Sequence, residues 1–343
     1  MIILLFDRIH LLRFYVTYHM EMKSIVLPSN VFENDMGSFL SLVSDLQHAN
    51  EIDLKNIKYY MPAAITSLLC NLVSTQGKGN LKFIYDTDSS GFRYFQRMNF
   101  FRLLFPNIDI PENFNRHVAI NFSPIMKIDN NSDEKIISDT IISSIWGKRF
   151  LTEDEKPNIC APIQYAIGEI VRNVVQHSES YGYIASQYYP TTGLIRIGLS
   201  DMGIGILESF KKNNSPFYDK TDTHLSMLKK ALENRVSSKT HMPLPPYSTG
   251  YENQGVGLTM LKTLAKMTCG YFFVATGDAF SLTNGDNPVI EKNFDGFFQG
   301  TICSIAFSRN QLDKYPYDEL RRDLFNEVMG PSDINIKSED LFV

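Results

Sequence analysis

Residues 163–177 read IQYAIGEIVRNVVQH. Ile163, Ala166, Ile167, Ile170, Val171, Val174 and Val175 recur at helical spacing along one side, and Glu169, Asn173, Gln176 and His177 fall on another sector. The helix therefore stacks polar groups up one edge, which alone is also what a solvated face looks like. Residues 194–205 read LIRIGLSDMGIG. Ile195, Ile197 and Leu199 alternate with polar or small residues, so the stretch is a strand ending at Asp201, with Gly203 and Gly205 after it. Glycines there allow a sharp turn and a close approach of backbone to a ligand, although Asp-Gly pairs also make ordinary turns. Residues 253–269 read NQGVGLTMLKTLAKMTC. Gly255-Val256-Gly257 precedes a helix with Leu258, Leu261, Leu264, Ala265 and Thr268 on one face, and Gly270 is expected at its C-cap. A glycine loop opening onto a helix N-terminus offers unpaired N–H groups and the positive dipole end, which suits an anion.

The chain around these stretches has 343 residues, 43% hydrophobic and 21% charged. That excludes a wholly disordered chain and provides enough apolar material for two domains. Lys plus Arg is 33 against 38 Asp plus Glu, a formal charge of −5. Binding of nucleic acid by bulk charge is disfavoured. Cys70, Cys160, Cys269 and Cys303 form no CxxC pair and are expected as buried, reduced thiols of a cytoplasmic protein. No HxxxH or HExxH pair exists among the histidines, which argues against a metalloprotease-type site. The apolar N-terminal run is broken by Asp7, Arg8, His10 and Arg13 and fits neither a spanning helix nor a signal peptide. Met20 and Met22 are alternative starts. The sequence carries no direct nucleic-acid or membrane signal.

Taken in order, the three motifs form a set: a helix with E…N, a strand with DxGxG, a long polar segment, GxGL opening a helix, then a strand with Gly300-Thr301. This set resembles the GHKL superfamily, the Bergerat-fold ATPases, over about Asn158 to Phe307. The resemblance implies ATP and Mg²⁺ as ligands. Glu169-Ile170-Val171-Arg172-Asn173 looks like the family's N-box, which would make Asn173 the Mg²⁺ ligand and Glu169 the base or orienting group for water. His177 matches a position where the family often has a polar or basic residue near the phosphates; capping or packing is its other reading. Asp201 looks like the adenine reader, since a carboxylate accepts from the exocyclic amino group and repels the guanine carbonyl. Gly203 would let the backbone lie beside the ring, and Gly205 would shape the start of the lid. Gly255, Val256, Gly257 and the N–H of Leu258 would wrap the phosphates. Thr301 matches the threonine that supports the aspartate. Glu208 to Gln254 would be the ATP lid, with Pro243-Leu244-Pro245-Pro246 and Gly250 inside it and Arg235, Lys239 and Lys229 as candidates to reach a γ-phosphate.

Residues 23–105 alternate strands and helices: Ser24–Leu27, Glu51–Ile57 and Leu81–Tyr85 as strands, with helices over Phe39–Leu46, Ala63–Val73 and Phe92–Leu104. This order resembles the STAS domain. STAS antagonists carry a phosphorylatable serine at the start of the helix after the second main strand, whereas this chain has Lys58-Tyr59-Tyr60-Met61-Pro62-Ala63 there; Ser67 lies one turn into the helix and reads as ordinary. The expected fold is therefore α/β (α+β), a STAS-like α/β domain followed by a Bergerat-fold sandwich with a lid. The expected division is 1–22 N-terminal extension, 23–105 STAS-like domain, 106–158 connecting segment, 159–308 ATP-binding domain with a lid at about 208–254, and 309–343 tail. The connection should hold a strand over His117–Phe122 and a helix over Glu134–Trp146, the latter an interdomain or dimer element. Asp278–Phe298 reads as an insertion with a turn at Asn284-Gly285, and Tyr317–Val328 as a helix that docks a partner or covers the domain's own core.

The resemblance implies an ATP-binding protein, an Mg-dependent ATPase or ATP-driven conformational switch in bacterial regulation, working with a protein partner or as a homodimer. A serine/threonine kinase of anti-sigma type acting on a STAS partner, and a non-hydrolysing nucleotide-sensing scaffold, are the alternatives. A histidine kinase is disfavoured because residues 133–149 contain no histidine.

Overall fold

The computed structural model describes residues 23–75, 81–106, 121–146, 155–239 and 255–329. In chain order the first unit runs β1 (Ser24–Val26), β2 (Asn30–Val31), α1 (Met36–Asp45), β3 (Glu51–Asp53), β4 (Tyr59–Tyr60), α2 (Pro62–Thr75), β5 (Lys82–Ile84), α3 (Ser90–Arg97) and α4 (Phe100–Leu104). β1, β3 and β5 pair in that order as a parallel sheet, and β2 pairs with β4. The expected single helix over 92–104 is broken into α3 and α4. Asn99 takes a left-handed backbone there, φ 66°, which asparagine tolerates better than most residues.

The second unit continues with β6 (Phe122–Ile128), α5 (Glu134–Trp146), α6 (Glu155–Asn173), β7 (Gly182–Tyr189), β8 (Leu194–Asp201), α7 (Gly205–Lys212), α8 (His224–Ala231), α9 (Gly257–Met267), β9 (Tyr271–Asn284), β10 (Ile290–Ser308), α10 (Arg309–Lys314) and α11 (Tyr317–Met329). Its sheet is antiparallel throughout, in the order β6-β7-β8-β10-β9. Most of the expected strand at His117–Phe122 lies outside the described residues; the strand found is β6, at the sheet edge. The fold is mixed α/β. No helix among the described residues is long and apolar enough to cross a membrane.

Both faces of the five-stranded sheet are buried. On β8, Ile195, Ile197 and Leu199 enter a core with α5, α6, α9 and α11. The alternate residues of the sheet, including Tyr183, Ala185, Phe273, Ala275, Ile302 and Ala306, share a core with α1, α2, β1 and β3. The two segments that alternate in the sequence thus meet across one sheet. α2 comes so close that a Cβ on Gly198 would strike the backbone of Pro62 and Ala63. Thr66 Oγ1 lies 2.9 Å from Ser200 Oγ, and Cys70 donates to the Ser200 carbonyl. This explains why α2 is buried nearly all round rather than amphipathic.

The stretch 278–298 is the far part of the β9–β10 hairpin. Phe280, Leu282, Phe294 and Phe298 fold over α1, and Phe297 N donates to Ser44 Oγ at 2.9 Å. In α11, Leu320, Leu324, Phe325 and Val328 are buried against α6 and α9, so this helix covers the domain's own core. Two cysteine expectations need correction. Cys269 is exposed and Cys160 only half-buried. Cys269, not Gly270, takes the left-handed position ending α9, φ 51°; Cys269 N bonds the Lys266 carbonyl and Gly270 N the Ala265 carbonyl, a Schellman closure. Gly270 is required for a different reason: a side chain there would collide with the Ala306 carbonyl.

One buried ion pair fastens the units together. Arg196 on β8 donates through Nε to Glu33 Oε1 at 3.0 Å and lies 4.6 Å from the Tyr189 ring centroid. Removing one partner of such a pair strands a desolvated charge. Glu33→Ala should cost about 3–5 kcal/mol in urea unfolding. Tyrosine fluorescence and far-UV circular dichroism should share one midpoint, since the units share a core with buried tyrosines from both; two separated transitions would contradict this packing.

Candidate functional site

The apolar stripe of α6 is buried as its spacing requires: Ile163, Ala166, Ile167, Ile170, Val171 and Val174 are at most 1% exposed. That leaves Glu169 and Asn173 on the edge facing a cavity of about 320 Å³. Beyond Asn173 the helix widens into a π-type turn over Val174–Ser178, where Ser178 Oγ donates back to the Val174 carbonyl at 2.7 Å. This departs from the regular helix expected to His177. Gly203 packs against this turn: its backbone lies so close to Ser178 that a Cβ would overlap it.

The cavity collects residues from separate parts of the sequence. Glu169, Asn173, His177, Asp201, Gly205, Gly255, Val256, Gly257, Leu258 and Thr301 all line it. Gly203 is the one expected site residue not among the lining residues. It stands behind Asp201, donating its N–H to Asp201 Oδ1 at 2.8 Å and accepting from Gln299 Nε2 at 2.6 Å.

Asp201 ends β8 with only 4% of its surface exposed. Burial raises its carboxyl from 3.8 to about 7, against the backbone hydrogen bonds from Gly203 and Thr301, which favour the charge. Thr301 therefore supports Asp201 through its backbone. Gly300 before it has φ +100° and passes where a side chain would strike the Asp201 backbone. Thr276, unremarked in the sequence, joins these turns: its Oγ1 donates to the Gly300 carbonyl at 3.0 Å and accepts from Ile206 N at 3.1 Å. Gly205, φ +74°, starts α7 beside it.

Gly255, which also lines the cavity, takes φ +71° and packs against the backbone of Arg235 and Val236. Val256 caps α9, whose first N–H groups have no partner within the helix. A Cβ on Gly257 would collide with Glu169 Oε2, so the glycine is what lets the carboxylate reach the start of α9. Arg172 bonds the other Glu169 oxygen and donates to Glu134 Oε2 at 2.7 Å. Burial opposes the Arg172 charge, yet the two carboxylates raise its pKa. The motif reading gives Arg172 no role within the N-box stretch and takes Glu134 only as the start of a helix.

The segment read as a long polar lid is partly structured. α7 and α8 enclose a small apolar core of Phe210, Met227, Ala231 and Val236, spaced too irregularly for a sequence pattern. Residues 240–254, with the proline cluster and Gly250, lie outside the described residues. Lys239 Nζ donates to the Gln176 carbonyl at 2.5 Å, and Lys229 pairs with Glu291 at 3.6 Å. Arg235 is exposed, with a left-handed backbone at φ 64°. His177 Nδ1 lies 3.2 Å from Ser238 Oγ, which also contacts Ser209 Oγ at 3.0 Å. Burial, with Lys239 nearby, pushes the His177 pKa down to about 4, and the ring both packs against Ser238 and lines the cavity. Among the described residues there is no cluster of three or more His, Cys, Asp or Glu able to hold a metal. No protein-family model matches the sequence, and no curated protein matches it.

An acid whose pKa is raised by folding binds its proton more tightly folded than unfolded. Asp201 therefore lowers stability as pH rises from about 4 to about 7, and by no further amount above that. Asp201→Asn should become more stable relative to wild type across that window, by on the order of 4 kcal/mol at pH 8. Urea unfolding of both proteins at pH 4.5 and 8 measures the difference; a gap that does not widen with pH would contradict the buried carboxylate.

Proposed function

We propose that the chain is an ATP-binding protein of GHKL type, an Mg-dependent ATPase or ATP-driven switch built on a Bergerat-like sandwich with a STAS-like unit beneath it. The observation carrying this reading is the convergence in one cavity of a dry carboxylate, a Glu/Asn helix edge and a glycine-led helix N-terminus. The volume lies in the usual range for small-ligand sites. A cavity with an acceptor at one end and N–H donors at the other matches the polarity of a purine nucleotide.

Asp201 would accept the adenine amino hydrogen. Guanine presents a carbonyl at that position and would leave the buried acceptor unpaired, which disfavours it. Ile170, Leu199 and Cys303, lining the cavity nearby, supply apolar contact for the ring. The N–H groups of Gly257 and Leu258 would receive phosphate oxygens. Asn173 would be the protein's ligand to Mg²⁺; one amide oxygen with phosphates and waters suits that hard cation, which supplies charge neutralisation when bound. Glu169, beside Gly257, would orient or deprotonate the attacking water.

Self-phosphorylation of STAS type is disfavoured because the stretch 58–63 carries no serine. Ser67, one turn into α2, is fully buried and donates to the Ala64 carbonyl at 3.1 Å, an ordinary helix contact.

Calorimetry with ATP and GTP, with and without Mg²⁺, followed by phosphate release, tests the reading. ATP should bind and GTP should not. Asp201→Ala should weaken ATP by about 10–100-fold, the cost of a missing buried hydrogen-bond partner. Glu169→Ala should lower kcat by about 10²–10⁴-fold while ATP still binds. Equal affinity for ATP and GTP, or unchanged turnover in Glu169→Ala, would overturn it.

A further inference from the structure

We propose that Glu134 and Arg172 are positioning residues for Glu169, with Gly168 providing the space they occupy; this rests on the reading above. The guanidinium of Arg172 is held at two points. One terminal nitrogen donates to Glu134 Oε2 at 2.7 Å and the other bonds Glu169 Oε1. Glu134 is the first residue of α5, whereas Glu169 and Arg172 lie one turn apart on α6. A lone Glu–Arg pair on a helix surface is weak and samples many rotamers. Anchoring the planar fork from a second helix removes that freedom and fixes where Glu169 stands.

Gly168 supplies a separate observation. It is buried in the middle of α6, where glycine disfavours the helix. A Cβ there would lie 3.2 Å from Arg172 Nη1 and 3.2 Å from Glu134 Oε2. The glycine therefore accommodates the ion triplet at the expense of local helix stability. On the far side of the same carboxylate, Gly257 makes room for Glu169 Oε2. Two glycines and two ion-pair partners thus enclose one functional side chain. Glu134 itself has its pKa raised, by burial first and by Glu169 as a like charge, with Arg172 opposing. The triplet carries one net negative charge and holds together through the guanidinium.

The test uses the full chain with Mg-ATP, reading kcat and KM by phosphate release, ADP affinity by calorimetry, and Tm. Arg172→Ala and Glu134→Ala should lower kcat by about 10–100-fold, the scale of a misplaced reacting group, with KM and ADP affinity changed little. Glu134→Gln should recover most of the activity, since it keeps the acceptor. Arg172→Lys should not, since an ammonium cannot span both carboxylates as a planar fork. Gly168→Ala should lower kcat without lowering Tm, a combination that a purely structural role does not produce. If Glu134→Ala fails to fold, Gly168→Ala and Glu134→Gln decide. Wild-type kcat in Gly168→Ala and Glu134→Ala overturns the positioning role alone. ADP affinity falling in step with kcat in Arg172→Ala also overturns it, making Arg172 a phosphate contact. A wild-type chain that binds no ATP, or releases no phosphate, fails before any variant is made and overturns the hydrolytic reading together with this one.

Discussion

The site depends on keeping one carboxylate dry at the end of a strand. Asp201 can stay buried because two backbone N–H groups face it and because β8 is covered on both sides. Its charged form is disfavoured by burial and favoured by hydrogen-bond donors such as the Gly203 and Thr301 N–H groups. The surrounding turns serve that arrangement. Gly203 closes behind the carboxylate, Gly300 lets β10 pass beside it, and Thr276 ties the two turns together.

The reverse face of the same strand makes the N-terminal unit part of the site's foundation. Gly198 and Ser200 lie on the face opposite Leu199 and the cavity, and α2 sits directly on them. A shift of α2 would have to move the strand that carries Asp201, because packed interiors transmit displacement. On the cavity side, Lys239 and Ser238 tie the segment after α8 to the π-turn following Asn173. The helix bearing Glu169 is therefore in contact with that segment, and the strand bearing Asp201 with the first unit.

Much of this was legible in the sequence. The 3.6-residue stripe of 163–174 and the two-residue alternation of 194–201 placed Glu169, Asn173 and Asp201 on α6 and β8, and the cavity brings them together with Gly255–Leu258. The alternation also misled. Arg196, Gly198 and Ser200 look like a solvent face in one dimension, yet all three are buried beneath the first unit, because small residues and one paired arginine admit α2 and Glu33. Contacts of that kind join positions more than a hundred residues apart and leave no local periodicity. Glu134 likewise leaves no local periodicity, since it meets Arg172, 38 residues on, only through the packing of α5 on α6. The π-turn at Val174–Ser178, against which the Gly203 turn packs, was likewise invisible, because the helical spacing of the apolar residues runs on through Val175.

A crystal structure of the full chain with Mg²⁺ and a non-hydrolysable ATP analogue addresses the central claim most directly. The account predicts the adenine amino nitrogen at about 3 Å from an Asp201 carboxylate oxygen, with the phosphates at the start of α9. Nucleotide bound elsewhere, or an adenine ring lying away from Asp201 inside the cavity, would contradict it.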